Sequence, residues 1–290
     1  MSPLTASGFH AARRFAALPC GRIAYFEQGC GPAALFVHGV PLNGFHWRHV
    51  MHGVADLRRC IAVDLMGLGY SQVVPGQDLS FGAQAAMLRE LLDALGIDRV
   101  DLVANDSGGA VAQIFAARHA DRLRTLTLTN CDVHDGWPPP AIAPLIEAAR
   151  RGTLAGRYEA LLHHPDAMRA CFADAYADPA ALTDDAIRIY LEPLLASAQR
   201  RHDFHRYWMA FDPAQTVAIE PALRRLAVPT LIAWGLADGF FDVAWAHWLR
   251  KTIPSAVALV EIGGAKLFFA EDRPEALVQP LRCFWQGLGA

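Results

Sequence analysis

The stretch Leu102-Val103-Ala104-Asn105-Asp106-Ser107-Gly108-Gly109-Ala110 constrains the fold more than any other. An apolar, β-branched run from Val100 to Val103 breaks off at Asn-Asp-Ser-Gly-Gly, and an apolar helical stretch from Ala110 to His119 follows at once. A strand that turns directly into a helix strains its corner residue and lifts that side chain clear of the backbone. Asp tolerates the left-handed region better than most residues, and Asp106 stands at the tip. Ala104 and Gly108, two positions either side, leave the turn room, and Gly109 lets the helix approach the sheet. Asp is also a favoured helix N-cap, so the corner alone does not separate a reactive carboxylate from a cap. Ser107 does not fit the tip, because the small residue two before it would then be Asn105.

The surrounding chain alternates. Strands are expected at Arg22 to Gln28, Ala34 to Val37, Cys60 to Leu65, Leu123 to Asn130, Thr230 to Trp234 and Ala256 to Ile262. Helices are expected around Phe45 to Leu57 and at Phe81 to Leu95, Val243 to Lys251 and Glu275 to Gly287. Ala85, Leu88, Leu91, Leu92 and Leu95 keep a 3.6-residue rhythm. Such alternation means βαβ units and a mostly parallel sheet, whose ligands sit beyond the carboxyl ends of the strands. His38-Gly39, Asp106 and Asp132 all fall at those ends. From Val133 to about Ala218 helical text and recurring aromatics replace the strands, which reads as a helical lid. The core is then 1–132 with 219–290, and the cap 133–218.

The 290 residues are 53% hydrophobic and 19% charged, enough for a large core. A net charge of −3 gives no electrostatic case for nucleic acid or an anionic membrane surface. No apolar run approaches the roughly 18 residues of a membrane span, and the first fourteen residues lack an apolar signal core, so a cytoplasmic protein is expected. Six scattered cysteines read as reduced core residues rather than disulfides or zinc ligands. No metal or other cofactor is expected. The expected partner is a small molecule, with a homodimer left open.

Read this far, the chain resembles the α/β-hydrolase fold from roughly Ala17 to Trp285, implying a mostly parallel eight-stranded sheet with the lid inserted after the sixth strand. His38-Gly39-Val40-Pro41 is similar to that family's oxyanion loop, and Asp64-x-x-Gly67-x-Gly69-x-Ser71 to the loop after the fourth strand. Asp at the nucleophile elbow resembles the haloalkane dehalogenase and epoxide hydrolase branch. Gly235-Leu236-Ala237-Asp238 looks like the acid-bearing turn. The resemblance implies Asp106 as nucleophile, the amides of Val40 and Ser107 as oxyanion hole, and Asp238 as acid, with Asp132 as the other site for one.

The chain departs from that branch where its histidine belongs. The loop reads Ile262-Gly263-Gly264-Ala265-Lys266-Leu267-Phe268-Phe269, and Leu267 takes the histidine's place. Leu carries no proton, and a general base contributes about 10²–10⁴-fold. Val40 and Ser107 also stand where dehalogenases place halide donors, so halide release is poorly supported. Tyr158, Tyr176, Tyr190 and Tyr207 are lid tyrosines that could face an epoxide oxygen, though lid packing explains any one of them equally well. His134, His202 and His205 are available as substitute bases, each more ordinarily a surface or core histidine. Lys266 is placed to pair with Asp238. His38, His134, Tyr190, Lys266 and Leu267 are the expected pocket residues.

Three functions follow: hydrolysis of an ester, lactone or epoxide through Asp106 with a substitute base, a non-hydrolytic isomerase or lyase reaction, or ligand binding without chemistry. Partner binding through the lid ranks last.

Overall fold

A computed structural model describes residues 4–288. Nine strands form one sheet: β1 (Arg14–Leu18), β2 (Gly21–Gln28), β3 (Ala33–Val37), β4 (Arg59–Val63), β5 (Gln72–Val73), β6 (Val100–Asp106), β7 (Leu123–Cys131), β8 (Thr230–Gly235) and β9 (Ala256–Ile262). Their spatial order is β1-β2-β4-β3-β6-β7-β8-β9, with β5 beside β2. β1, β2 and β5 join antiparallel, and every pairing from β4 to β9 is parallel. Helices follow the parallel strands, as the alternation requires.

The expectation of eight strands is corrected to nine. β1 buries only Ala16 among its five residues, and β5 is two residues long. Neither carries enough patterned apolar surface to read as a strand. The helical segment accordingly follows the seventh strand of the chain rather than the sixth.

Every residue of β3, β6 and β8 is buried, consistent with a sheet covered on both faces. The helix Phe81–Ala94 starts where Ser80 accepts the Ala83 amide, and it buries Phe81, Ala85, Leu88, Leu91 and Leu92. The helix Ser107–Arg118 packs on the sheet through glycine, because a Cβ at Gly109 would lie 2.2 Å from the Cβ of Cys131. Between β7 and β8 the described residues hold helices, the longest being Asp184–Leu195 and Ala198–Met209. No described helix is long and apolar enough to cross a membrane.

Candidate active site

Three strand ends, those of β3, β6 and β7, converge on one place. Asp106 closes β6 with φ 54° and ψ −136°, and the next helix begins at Ser107. The strain is structural, not a cap: the Asp106 side chain makes no N-cap hydrogen bond. Asp132 immediately follows β7, and its amide donates to the Asp106 carbonyl at 3.4 Å. The loop after β3 closes over the carboxylate through Gly39, where a Cβ would stand 2.0 Å from Asp106 Oδ2. That closure sets the Val40 amide beside the Ser107 amide, and both favour the charged carboxylate.

A cavity of about 680 Å³ opens over this corner. Asp106, Asp132 and Leu267 contribute to its floor, and Tyr158, Trp208 and Phe268 are among its apolar and aromatic walls. No histidine is among the lining residues. Oδ2 of Asp106 and both carboxyl oxygens of Asp132 are buried without hydrogen-bond partners. Burial pushes Asp106 up to about 7 against the pull of the Val40 and Ser107 amides, with Asp238 adding like charge. Burial, and then the neighbouring Asp106, holds Asp132 far above the carboxylate range. Two carboxyls so close cannot both ionise cheaply.

Asp238 is anchored beside this pair rather than on the cavity wall. It accepts from Asn130 Nδ2 at 2.7 Å and from the Phe240 amide at 2.8 Å. Burial raises it to about 6 in spite of those donors. Asn105 braces the loop at 267, donating to the Leu267 carbonyl at 3.0 Å. The Leu267 side chain reaches the cavity where the resemblance would place an imidazole.

Four expected pocket residues lie elsewhere. His38 is a strut: its Nε2 accepts the Leu65 amide at 3.1 Å and its Nδ1 donates to the Gly39 carbonyl at 2.8 Å. Burial lowers it to about 3, so it stays neutral while holding two loops together. His134 turns away at φ 50° and lies between Asp135 and Glu220, at 2.8 and 2.9 Å. Lys266 does not pair with Asp238; its Nζ donates to the Ala173 carbonyl at 2.6 Å. Anchoring by Asn130 and Phe240 leaves Asp238 no need of a cation. His205 is also spoken for, accepting the Ala155 amide at 2.9 Å.

Tyr190 is the fourth correction. Its hydroxyl donates to Glu271 Oε1 at 2.9 Å, beside Tyr176 on Oε2 at 2.6 Å and Arg48 on Oε1 at 2.5 Å. This buried knot ties two lid segments to the loop carrying Leu267. Phe268 donates its amide to the Ala175 carbonyl at 2.9 Å, and Asp272 accepts the Ala177 amide at 2.7 Å. The sequence shows Glu271 only as part of a loop motif; its partners are 81 to 223 residues away. Tyr207 is likewise occupied, 3.0 Å from Ser107 Oγ. Of the lid tyrosines only Tyr158 lines the cavity.

Burial would raise Glu271, but Arg48, His46 and Tyr176 hold it down at about 2. A carboxylate depressed in the folded state adds stability above its unfolded value, near 4.3, and that stability fades as pH falls towards 2. Glu271→Gln leaves Arg48 buried and unpaired, a change worth about 3–5 kcal/mol. The expected result is a thermal midpoint lowered by roughly 10 °C at pH 7. The deficit should shrink between pH 4.5 and 2. A variant within a degree of the parent at pH 7 would remove the knot from the stability argument.

A strained strand-to-helix corner over a mostly parallel sheet, closed by a glycine loop, defines the α/β-hydrolase fold. The chain belongs to the alpha/beta hydrolase fold family, whose model matches residues 32–274. It is 30% identical over 267 residues to haloalkane dehalogenase 2 of Mycobacterium tuberculosis, covering 89% of each chain. It is 25% identical to a cis-3-alkyl-4-alkyloxetan-2-one decarboxylase of Shewanella oneidensis, covering 94% of this chain and 87% of that one. An α/β hydrolase fold protein from Burkholderia ambifaria superposes with a TM-score of 0.80 at 27% identity, covering 92% and 96%. Epoxide hydrolase 3 of Xenopus tropicalis is 26% identical over 270 residues, covering 87% of this chain and 71% of that one.

Proposed function

We propose that this protein acts on a small, largely apolar molecule with a strained or activated carbon–oxygen bond, an epoxide, lactone or ester, through covalent attack by Asp106. One observation carries the reading: a carboxylate at a strained corner, its Oδ2 buried without a partner, lines a largely apolar cavity, with two amides beside it. The relatives named for epoxide and oxetanone chemistry support the substrate class.

Attack requires the ionised carboxylate, and the strained turn keeps its oxygen free of the capping bond that would blunt it. The Val40 and Ser107 amides stabilise the anion that forms when water later adds to the ester. Tyr158 lines the cavity from the lid and lies near Asp106, which makes it the tyrosine to meet a substrate oxygen. Release of the ester is the slow step, because Leu267 leaves the site without an imidazole.

Incubation with small epoxides, lactones and esters, followed by intact-protein mass measurement and peptide mapping, tests this. The expected result is one adduct equivalent on Asp106. Labelling elsewhere, or none with any substrate class, would end the proposal. The rate of labelling should climb with pH through about 7, where Asp106 ionises. A flat profile from pH 5 to 9 would contradict the burial-raised acidity.

The non-hydrolytic reading has one observation in its favour, since a carboxylate with acidity near neutral suits a general base. Turnover of substrate with no mass adduct and no incorporation of labelled water oxygen would favour it.

A further inference from the structure

The pair formed by Asp106 and Asp132 contains a group that nucleophilic attack by Asp106 does not use. Asp132 is 1% exposed, sits in the wall of the same cavity and has no partner for either carboxyl oxygen. A buried carboxylate without donors is far more costly than a buried carboxylic acid. The groups around it reinforce this. Asp106 faces it from the end of β6, Cys131 from its own strand and Tyr207 from the lid, while Asp238, in the turn after β8, bears on Asp106 and Cys131. Each is acidic or neutral. Arg157, with Asp174, belongs to the exposed mouth of the cavity and makes no ion pair with Asp132.

We propose that Asp132 is the proton carrier of this site, a neutral carboxylic acid that protonates the departing oxygen and then takes a proton from water in place of the absent imidazole. This deepens the covalent reading and rests on it.

The steps balance on one shared proton. An oxygen of ionised Asp106 bonds to the substrate carbon as the carbon–oxygen bond breaks. The freed electron pair stays on the departing oxygen, which takes the Asp132 proton. Asp106 is now a hydroxyalkyl ester and Asp132 a carboxylate. Asp132 then removes a proton from water while the water oxygen adds to the ester carbonyl, its oxyanion facing the Val40 and Ser107 amides. Collapse breaks the bond to the alkyl oxygen, which leaves with the proton from Asp132. One proton again remains between the two carboxyls, and an epoxide has gained one water to become a diol.

A proton donor matters only when the leaving group needs a proton, and this provides the test. Styrene oxide opens to an alkoxide, whereas p-nitrobenzyl bromide expels bromide, which needs none. Single-turnover labelling of Asp106 is followed by mass spectrometry in the full-length parent and in Asp132→Asn. The expected result is labelling by the epoxide slowed about 10²–10⁴-fold and labelling by the bromide changed less than threefold. Equal slowing of both, or of neither, would overturn the assignment and leave Asp132 a packing residue. A parent inert to both probes would overturn the covalent reading and the catalytic role with it.

A second measurement does not depend on turnover. Difference infrared spectra of the parent minus Asp132→Asn at pH 7 should show the carbonyl stretch of a protonated carboxylic acid. A carboxylate band in its place would refute the neutral acid, whatever the kinetics show.

Discussion

Asp106→Asn is expected to lose substrate consumption and covalent labelling together, by at least about 10³-fold, the scale on which removal of a nucleophile acts. Asparagine keeps the shape of the corner and the space under Gly39, and removes only the anion. Its amide oxygen is too weak a nucleophile to open a strained ring. Stability should move the other way. A carboxylate whose folded value is raised by burial is at its most stabilising below its unfolded value, near 3.9, and loses that contribution as pH rises through about 7. The asparagine variant avoids that loss. Its thermal midpoint at pH 8 should therefore lie several degrees above the parent's, with the difference vanishing near pH 4. An inactive variant that is also destabilised at pH 8 would mean that the corner, not the charge, had been damaged. Unchanged turnover would dismiss Asp106 as the reacting group.

Leu267→His should produce the largest gain. Leu267 lines the cavity with Asp106 and Asp132, and its carbonyl is already fixed by Asn105 at 3.0 Å. The knot around Glu271 and the Phe268–Ala175 bond hold the loop rigid, so an imidazole placed there would not wander. An added general base at this point should accelerate ester hydrolysis by about 10²–10⁴-fold. In intact-mass measurements the adduct of the parent should become transient, and diol or acid should accumulate. Retention of the adduct at the parent's level would show that an imidazole at 267 cannot reach the water. If Leu267→His alone gained activity, the parent protein would be a binder that has lost its chemistry.

Much of the sheet was legible because β3, β6, β7 and β8 are short apolar runs bounded by turn residues, and because Phe81–Ala94 keeps a helical rhythm. The corner at Asp106 was legible for a local reason: only small neighbours let a strand turn so sharply into a helix. The strand β1 was not legible, since one buried residue in five leaves no periodic trace.

Side-chain partnerships were the part that sequence reading misplaced. Lys266 beside a vacant position invited an ion pair with Asp238, but Asn130 and the Phe240 amide already satisfy that carboxylate, and the Ala173 carbonyl takes the lysine. Tyr190 looked as available as Tyr158, yet Glu271 claims Tyr190 and leaves Tyr158 on the cavity wall. His38 stands in the expected loop, but two hydrogen bonds turn it into a strut.

The amino acids by themselves determined that a carboxylate would occupy the strained turn and that no imidazole would follow the last strand, since both depend on residue type and near neighbours in the chain. Only the tertiary structure decided that Asp132 shares the cavity with Asp106 and lacks any donor. Desolvation and the company of a second carboxylate arise from segments brought together across the sheet, and no local pattern encodes them.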